Sequence, residues 1–269
     1  KEGEIAMIQL VRQLIEVNFD VESLKRSENT LYNCHYEMEG EIITEELLAR
    51  IKNLEELPSP FLMGLMDKFF NTTLVPMIHT TRGCPFKCTF CTEGALYYQK
   101  VAQRIDLKNE LDYIAARLKD QQDLYISDAN FGMFKEDIEK AELISHYQKN
   151  YGWPKLIYVN TGKNQKERVI EIASRLNGAM KVAAALQSTD QDVLDNIKRT
   201  NISLDTISEV ATAGKSVGAD TYTEIILGLP GDTVATHTNS LRETVNRGLG
   251  IIRMYQLILL PQTEMSTPE

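Results

Sequence analysis

Residues 79–94 read His-Thr-Thr-Arg-Gly-Cys-Pro-Phe-Lys-Cys-Thr-Phe-Cys-Thr-Glu-Gly and place Cys84, Cys88 and Cys91 in a C-x3-C-x2-C spacing, directly after an apolar, strand-like run at 74–78. Three thiolates on one tight loop can hold three irons of a cubane and leave the fourth iron without a protein ligand, open to a substrate or cofactor. Zinc is the competing metal, because it also accepts three cysteines plus water or a histidine, and His79 is close by. A zinc ribbon would carry a second C-x2-C knuckle, which this chain lacks. Three packed, unligated thiols are the bland alternative, and the Gly, Pro, Lys and Thr between them argue for an open loop instead. Only one further cysteine exists, Cys34, which reads as a small packed residue. Clustering of three in four points to a metal site in a reducing compartment and not to a disulfide framework.

The chemistry must be carried by a fold, and the pattern from 76 onward alternates strands with helices. Strands are predicted near 74–81, 124–127, 156–160, 181–186, 221–227 and 251–259, with helices near 107–119, 135–150, 165–177, 191–199, 204–217 and 236–248. Ser203 is the expected N-cap of the fifth of these helices. Six βα units imply a mainly parallel sheet covered by helices, either doubly wound or curled into an incomplete barrel. Residues before 60 differ in character. A helix is predicted over 4–18 and a hairpin over 30–44 with its turn at Gly40, followed by a linker around Pro58 and Pro60. The expected domains are therefore 1–60 and 61–269.

In parallel α/β folds, function collects where strands end. Ser127-Asp128-Ala129-Asn130 follows the second strand, as an Asx turn or as a ligand contact. Asn160 ends the third, and Gln187-Ser188 follows the fourth after the small run Ala183-Ala184-Ala185. Arg199 closes the next helix, and Glu224 interrupts the apolar fifth strand. A carboxylate there is costly as packing, so it either pairs with Arg199 or binds a ligand. The loop Gly228-Leu229-Pro230-Gly231 lacks the Lys-Ser/Thr of a P-loop. Tyr97, Tyr98, Asn130 and Tyr158 could face a substrate, but aromatics near strand ends are usually packing, and no role is assigned to these four. A net charge of −9 disfavours nucleic acid as a partner, and no uncharged apolar run reaches the roughly 18 residues of a membrane span.

The cysteine spacing with Phe90 before the last cysteine resembles the signature loop of the radical S-adenosylmethionine (SAM) superfamily, and the wording Thr-Thr-Arg-Gly-Cys-Pro-Phe-Lys-Cys is similar to members that also carry a cobalamin-binding domain. The resemblance implies an α/β fold, a partial (β/α)6 barrel of parallel strands with a small N-terminal α+β accessory segment. It implies a [4Fe-4S] cluster on Cys84, Cys88 and Cys91, and SAM or cofactor contacts at Phe90, Asp128, Asn160, Gln187, Ser188, Arg199, Glu224 and Gly228. No side chain is assigned a catalytic role. Residues 1–60 look like the tail of a cobalamin-binding domain, whose histidine motif would lie upstream. The activity implied is reductive cleavage of SAM to a 5′-deoxyadenosyl radical that activates an unreactive C–H bond of a small-molecule or peptide substrate. Cobalamin-dependent methylation is one form this could take, with rearrangement, ring closure or oxidation equally open. Rearrangement or oxidation without cobalamin, methylthiotransferase-like RNA modification, and a non-catalytic iron–sulfur or zinc module are the rivals. An electron donor such as flavodoxin or ferredoxin and a cytoplasmic setting complete the expectation.

Overall fold

The computed structural model describes residues 2–267, which divide into two compact units, Lys1–Lys52 and Asn53–Glu269. The first holds helix α1 (Glu4–Glu16), short helix α2 (Val21–Lys25) and an antiparallel hairpin of β1 (His35–Met38) and β2 (Glu41–Thr44). Glu39 and Gly40 both take positive φ, 53° and 85°, as a two-residue turn matched to strand twist requires. The unit boundary falls ahead of the proline linker for a physical reason. Arg104 donates to the carbonyls of Leu54 and Leu57, each at 2.8 Å, and the Glu55 carboxylate accepts from the amides of Ile105 and Asp106. These bonds bring 53–57 into the second unit.

Strand β3 (Met77–Ile78) pairs in parallel with β6 (Asp123–Phe131), and β6 with β7 (Leu156–Thr161). A second parallel sheet has the order β10 (Ile251–Gln256), β9 (Thr221–Leu227), β8 (Val182–Ala183). An isolated parallel bridge between Ile157 and Met180 joins the sheets. Six parallel strands thus follow one another in chain order, curled into a partial barrel. Helices α3 (Lys108–Ala115), α4 (Asp137–Tyr151), α5 (Lys166–Arg175), α6 (Gln191–Asn196), α7 (Leu204–Ser216) and α8 (Val234–Asn246) alternate with them. Ser203 caps α7 as expected, its hydroxyl accepting from the Thr206 amide.

Strand alternation sets the two faces. Leu124, Ile126, Ile157, Val182 and Ile225 are fully or nearly fully buried, in one core with Ile144 of α4, Ile172 of α5 and Val210 of α7. Tyr125 and Tyr158, their neighbours in sequence, and Tyr222, three residues before Ile225, point the other way, into the lumen. Three strands are shorter than their patterns predict, the sixth ending at Gln256. The first breaks after Ile78, and Thr81–Arg82 (β4) instead pairs antiparallel with Ala102–Gln103 (β5). The fourth ends at Ala183, and beyond the break Gln187, at φ 66°, makes an isolated parallel bridge to Ile225.

Candidate active site

The cysteine loop is pinned from both ends. The Cys84 amide donates to Tyr98 O at 2.9 Å, the Thr89 amide to Ile197 O at 3.2 Å, and the Met265 amide to Thr89 O at 3.1 Å. Phe90 packs on a small second core of Val193, Leu194, Ile197 and Leu229. Gly94 is required by a close approach: a Cβ there would stand 2.2 Å from the Cys88 carbonyl oxygen. Beneath the loop lies a closed polar network. The Asp128 carboxylate accepts from the amides of Thr80 (2.8 Å) and Thr81 (2.9 Å) and from the Thr80 hydroxyl. Lys140, buried on α4, donates to Asp137 Oδ1 at 3.0 Å and to Thr80 Oγ1 at 3.1 Å.

Above the network the three cysteines, all free thiols, border one cavity of about 360 Å³ that Phe86, Phe90, Asn130, Asn160, Lys163, Gln187, Arg199, Tyr222 and Glu224 also line. Of the expected cofactor contacts, Phe90, Asn160, Gln187, Arg199 and Glu224 converge there. Three others do not line it. Asp128 is 1% exposed and spends its carboxylate on the loop backbone. Ser188 bonds to Ser240 and accepts from the Asp190 amide, a turn role. Gly228 supplies positive φ, 84°, at the end of β9. The pairing of Glu224 with Arg199, one alternative for its presence in a strand, is not formed. Glu224 is nearest Arg253, at 4.0 Å, while Arg199 donates to Asn201 Oδ1 at 2.9 Å and to Ala185 O.

Two residues to which the sequence assigned no role touch the sulfurs. Asn130 Nδ2 donates to Cys84 Sγ at 3.2 Å, and Lys163 Nζ reaches Cys88 Sγ at 2.9 Å. Arg199 Nη1 approaches the same Cys88 sulfur at 3.8 Å. Asn130 had a legible signal, two places beyond Asp128 at a strand end. Lys163 lies in the loop after β7 with no motif to mark it. Burial pushes the Lys163 and Arg199 pKa values down, opposed by the cysteines, and burial pushes the Cys91 thiol up. Donors aimed at sulfur suit thiolates, which need such bonds when bound to metal.

The donor set fits a cluster better than a single ion. Among the described residues no group of three or more His, Cys, Asp or Glu converges on one point, whereas thiolates of a cubane each take a different iron. His79 does not turn toward the cysteines to serve zinc, since its Nε2 donates to Thr81 O at 3.0 Å.

Residues 78–243 match the sequence profile of the radical SAM superfamily. The chain belongs to that superfamily. Members of that superfamily use a [4Fe-4S] cluster and SAM. It is similar to the cobalamin-dependent radical SAM methyltransferase TokK of Streptomyces tokunonensis, at 34% identity over 82% of this chain and 34% of that protein. It is equally similar, at 34% over 82% of the chain and 34% of the relative, to the 2-(S-pantetheinyl)-carbapenam-3-carboxylate methyltransferase of Streptantibioticus cattleyicolor. The chain therefore spans about a third of the length of these curated relatives. Among solved structures it resembles the radical SAM methyltransferase TsrM of Kitasatospora setae, with TM-score 0.62 and 16% identity over 74% of this chain and 39% of that one. That likeness establishes the radical SAM core fold.

Proposed function

We propose that this protein is a cobalamin-dependent radical SAM methyltransferase acting at an unactivated carbon of a small-molecule or peptide substrate. In this reading Cys84, Cys88 and Cys91 hold the cluster, and SAM occupies the cavity beside them. The observation that carries it is the meeting of three free cysteines with Gln187, Arg199 and Glu224 around one cavity of about 360 Å³. Bound together, cluster and SAM supply one-electron cleavage of the sulfonium to methionine and a 5′-deoxyadenosyl radical.

The chain's own residues supply the rest. Arg199 brings a buried guanidinium whose charge suits the methionine carboxylate, and Glu224 presents a carboxylate suited to ribose hydroxyls. Asn130 and Lys163 donate to cysteine sulfur, which orients the ligands and sets the reduction potential. Phe86 and Phe90 give the cavity apolar walls that exclude water from a reactive radical. The methyl-transfer assignment is supported by the relatives' names, and residues 1–60 would be the tail of a domain that binds cobalamin. A flavodoxin or ferredoxin in the reducing cytoplasm supplies the electron. Among the described residues no helix is long and apolar enough to cross a membrane.

The test is anaerobic reconstitution with iron and sulfide, addition of SAM and dithionite, and detection of 5′-deoxyadenosine by mass spectrometry. Product from the wild type and none from Cys88→Ala is the expected result. Zinc bound in place of iron would overturn the reading. Methyl transfer is read separately, as the label of methyl-deuterated SAM appearing in a product when hydroxocobalamin, which brings no methyl group of its own, is added.

A further inference from the structure

Barrel interiors are normally filled by layers of branched aliphatic side chains. This lumen is not. Below the cysteine cavity lies a second space of about 470 Å³, reaching from Leu156 and Asp220 at the lower strand ends up to Asn160. Its inward positions carry tyrosines. Tyr125 and Tyr158 stack with centroids 6.3 Å apart and planes 23° from parallel, yet they remain 42% and 46% exposed. Two large rings left half-bare inside a concavity are a wall waiting for something flat or apolar.

One cation points into the same space. Arg253 shares the register position of Glu224 across β10 and β9, and its guanidinium lies 4.2 Å over the Tyr222 ring. Stacking fixes the plane of the fork without using its N–H donors. Among the described residues Arg253 makes no hydrogen bond, and its nearest carboxylate oxygen, on Glu224, stands at 4.0 Å, beyond hydrogen-bond reach. The other charges of this lining, Lys181 and Asp220, pair with each other at 3.4 Å near the lower rim. Arg253 thus keeps its N–H donors for the space, with the Glu224 carboxylate of the adjoining cavity as its ion-pair partner at 4.0 Å. Asn160 and Tyr222 line both cavities, so the chamber adjoins the one bordered by the cysteines.

We propose that this lumen is the substrate chamber and that it selects a substrate with a flat or apolar body and an oxyanion group, a carboxylate, phosphate or phosphonate, anchored by Arg253 against the Tyr125–Tyr158 wall. The proposal rests on the reading of the upper cavity as the radical-generating site. It adds the substrate class and the residue that determines it.

The probes are 8-anilinonaphthalene-1-sulfonate, an aromatic body bearing an oxyanion, and N-phenyl-1-naphthylamine, the same ring system without it. Both are titrated by fluorescence into the iron-loaded protein and its Arg253→Gln, Arg253→Lys and Tyr158→Ala variants. Arg253→Gln should weaken the sulfonate by about tenfold or more and leave the neutral amine unchanged. Arg253→Lys should recover part of the loss, and Tyr158→Ala should weaken both probes. Sulfonate binding that ignores Arg253→Gln would overturn the proposal, as would equal loss of both probes in that variant, or no effect of Tyr158→Ala on either. Probe binding requires no SAM cleavage, so failure here is distinct from failure to form 5′-deoxyadenosine.

Discussion

Two polar regions face each other across the cysteine loop, and they are built on opposite terms. Under the loop, Asp128, Thr80, Thr81, Lys140 and Asp137 form a network with every charge met from inside the protein. Asp128 takes two amides and a hydroxyl, while Asp137 takes Lys140 and the amides of Gly132 and Phe134. Across the cavity, Asn160, Gln187 and Glu224 are polar too, yet none of their side chains closes such a set. Buried polar groups that are fully paired rigidify a scaffold; polar groups with spare capacity facing a cavity are what a ligand completes. The same two residue types, a carboxylate and a cation near strand ends, therefore mean structure on one side and recognition on the other. Partnership separates them; residue type and position in the strand do not.

The sharpest break in this contrast comes from the loop itself. Gly94→Ala would drive a Cβ into the Cys88 carbonyl, at 2.2 Å, and within 3.2 Å of the Cys88 amide nitrogen, where only backbone could yield. We expect the variant to lose iron binding altogether, measured as iron per chain after reconstitution. Full iron content would show that the cysteine loop tolerates remodelling.

Next in size is the scaffold side against the recognition side. Lys140→Met strands the Asp137 carboxylate in a site where both side chains are at most 1% exposed, and should cost about 3–5 kcal/mol in urea unfolding. Glu224→Gln, on a half-exposed carboxylate 4.0 Å from Arg253, should cost less than about 1 kcal/mol. On the proposed reading, that second variant should instead weaken S-adenosylhomocysteine by about tenfold, measured by calorimetry. Reversal of the two rankings would erase the distinction between the regions.

The same distinction explains what could be read from sequence. The cysteine spacing is local and carries its chemistry with it, so the loop and the family were legible. Alternating strands and helices made the parallel architecture legible as well, although the sequence left doubly wound and barrel forms open until the bridge from Ile157 to Met180 joined the sheets. Asp128 looked like a ligand contact because a carboxylate at a strand end has the same one-letter appearance whether it faces a cavity or a pair of backbone amides 47 and 48 residues away. Lys163 and Arg253 were invisible for the converse reason. Each gains its meaning from a distant neighbour, Cys88 for one and Tyr222 for the other, and no spacing encodes that meeting.

Lys166 is the smallest test and falls between the two regions. Its ammonium is buried at the start of α5 and donates to Gly162 O and Ala183 O, each at 2.7 Å. Among the described residues no carboxylate partners it, and burial, with nearby Arg199 adding to it, pulls its pKa from the usual 10.5 down to about 8. The unfolded chain therefore holds this proton more tightly than the folded one. Below about pH 8 both states are protonated and the folded state carries the full cost of the buried charge. As pH rises from about 8 toward 10.5 the folded lysine is neutral first and that cost is relieved, so this group's contribution to stability increases with pH by up to about 3 kcal/mol. Urea unfolding across that window, compared between wild type and Lys166→Met, isolates the term, since the other lysines and tyrosines titrate in both. A steeper rise in the wild type is expected. Parallel curves would mean that two carbonyl acceptors satisfy the ammonium as well as a carboxylate does, placing Lys166 with the closed network under the loop.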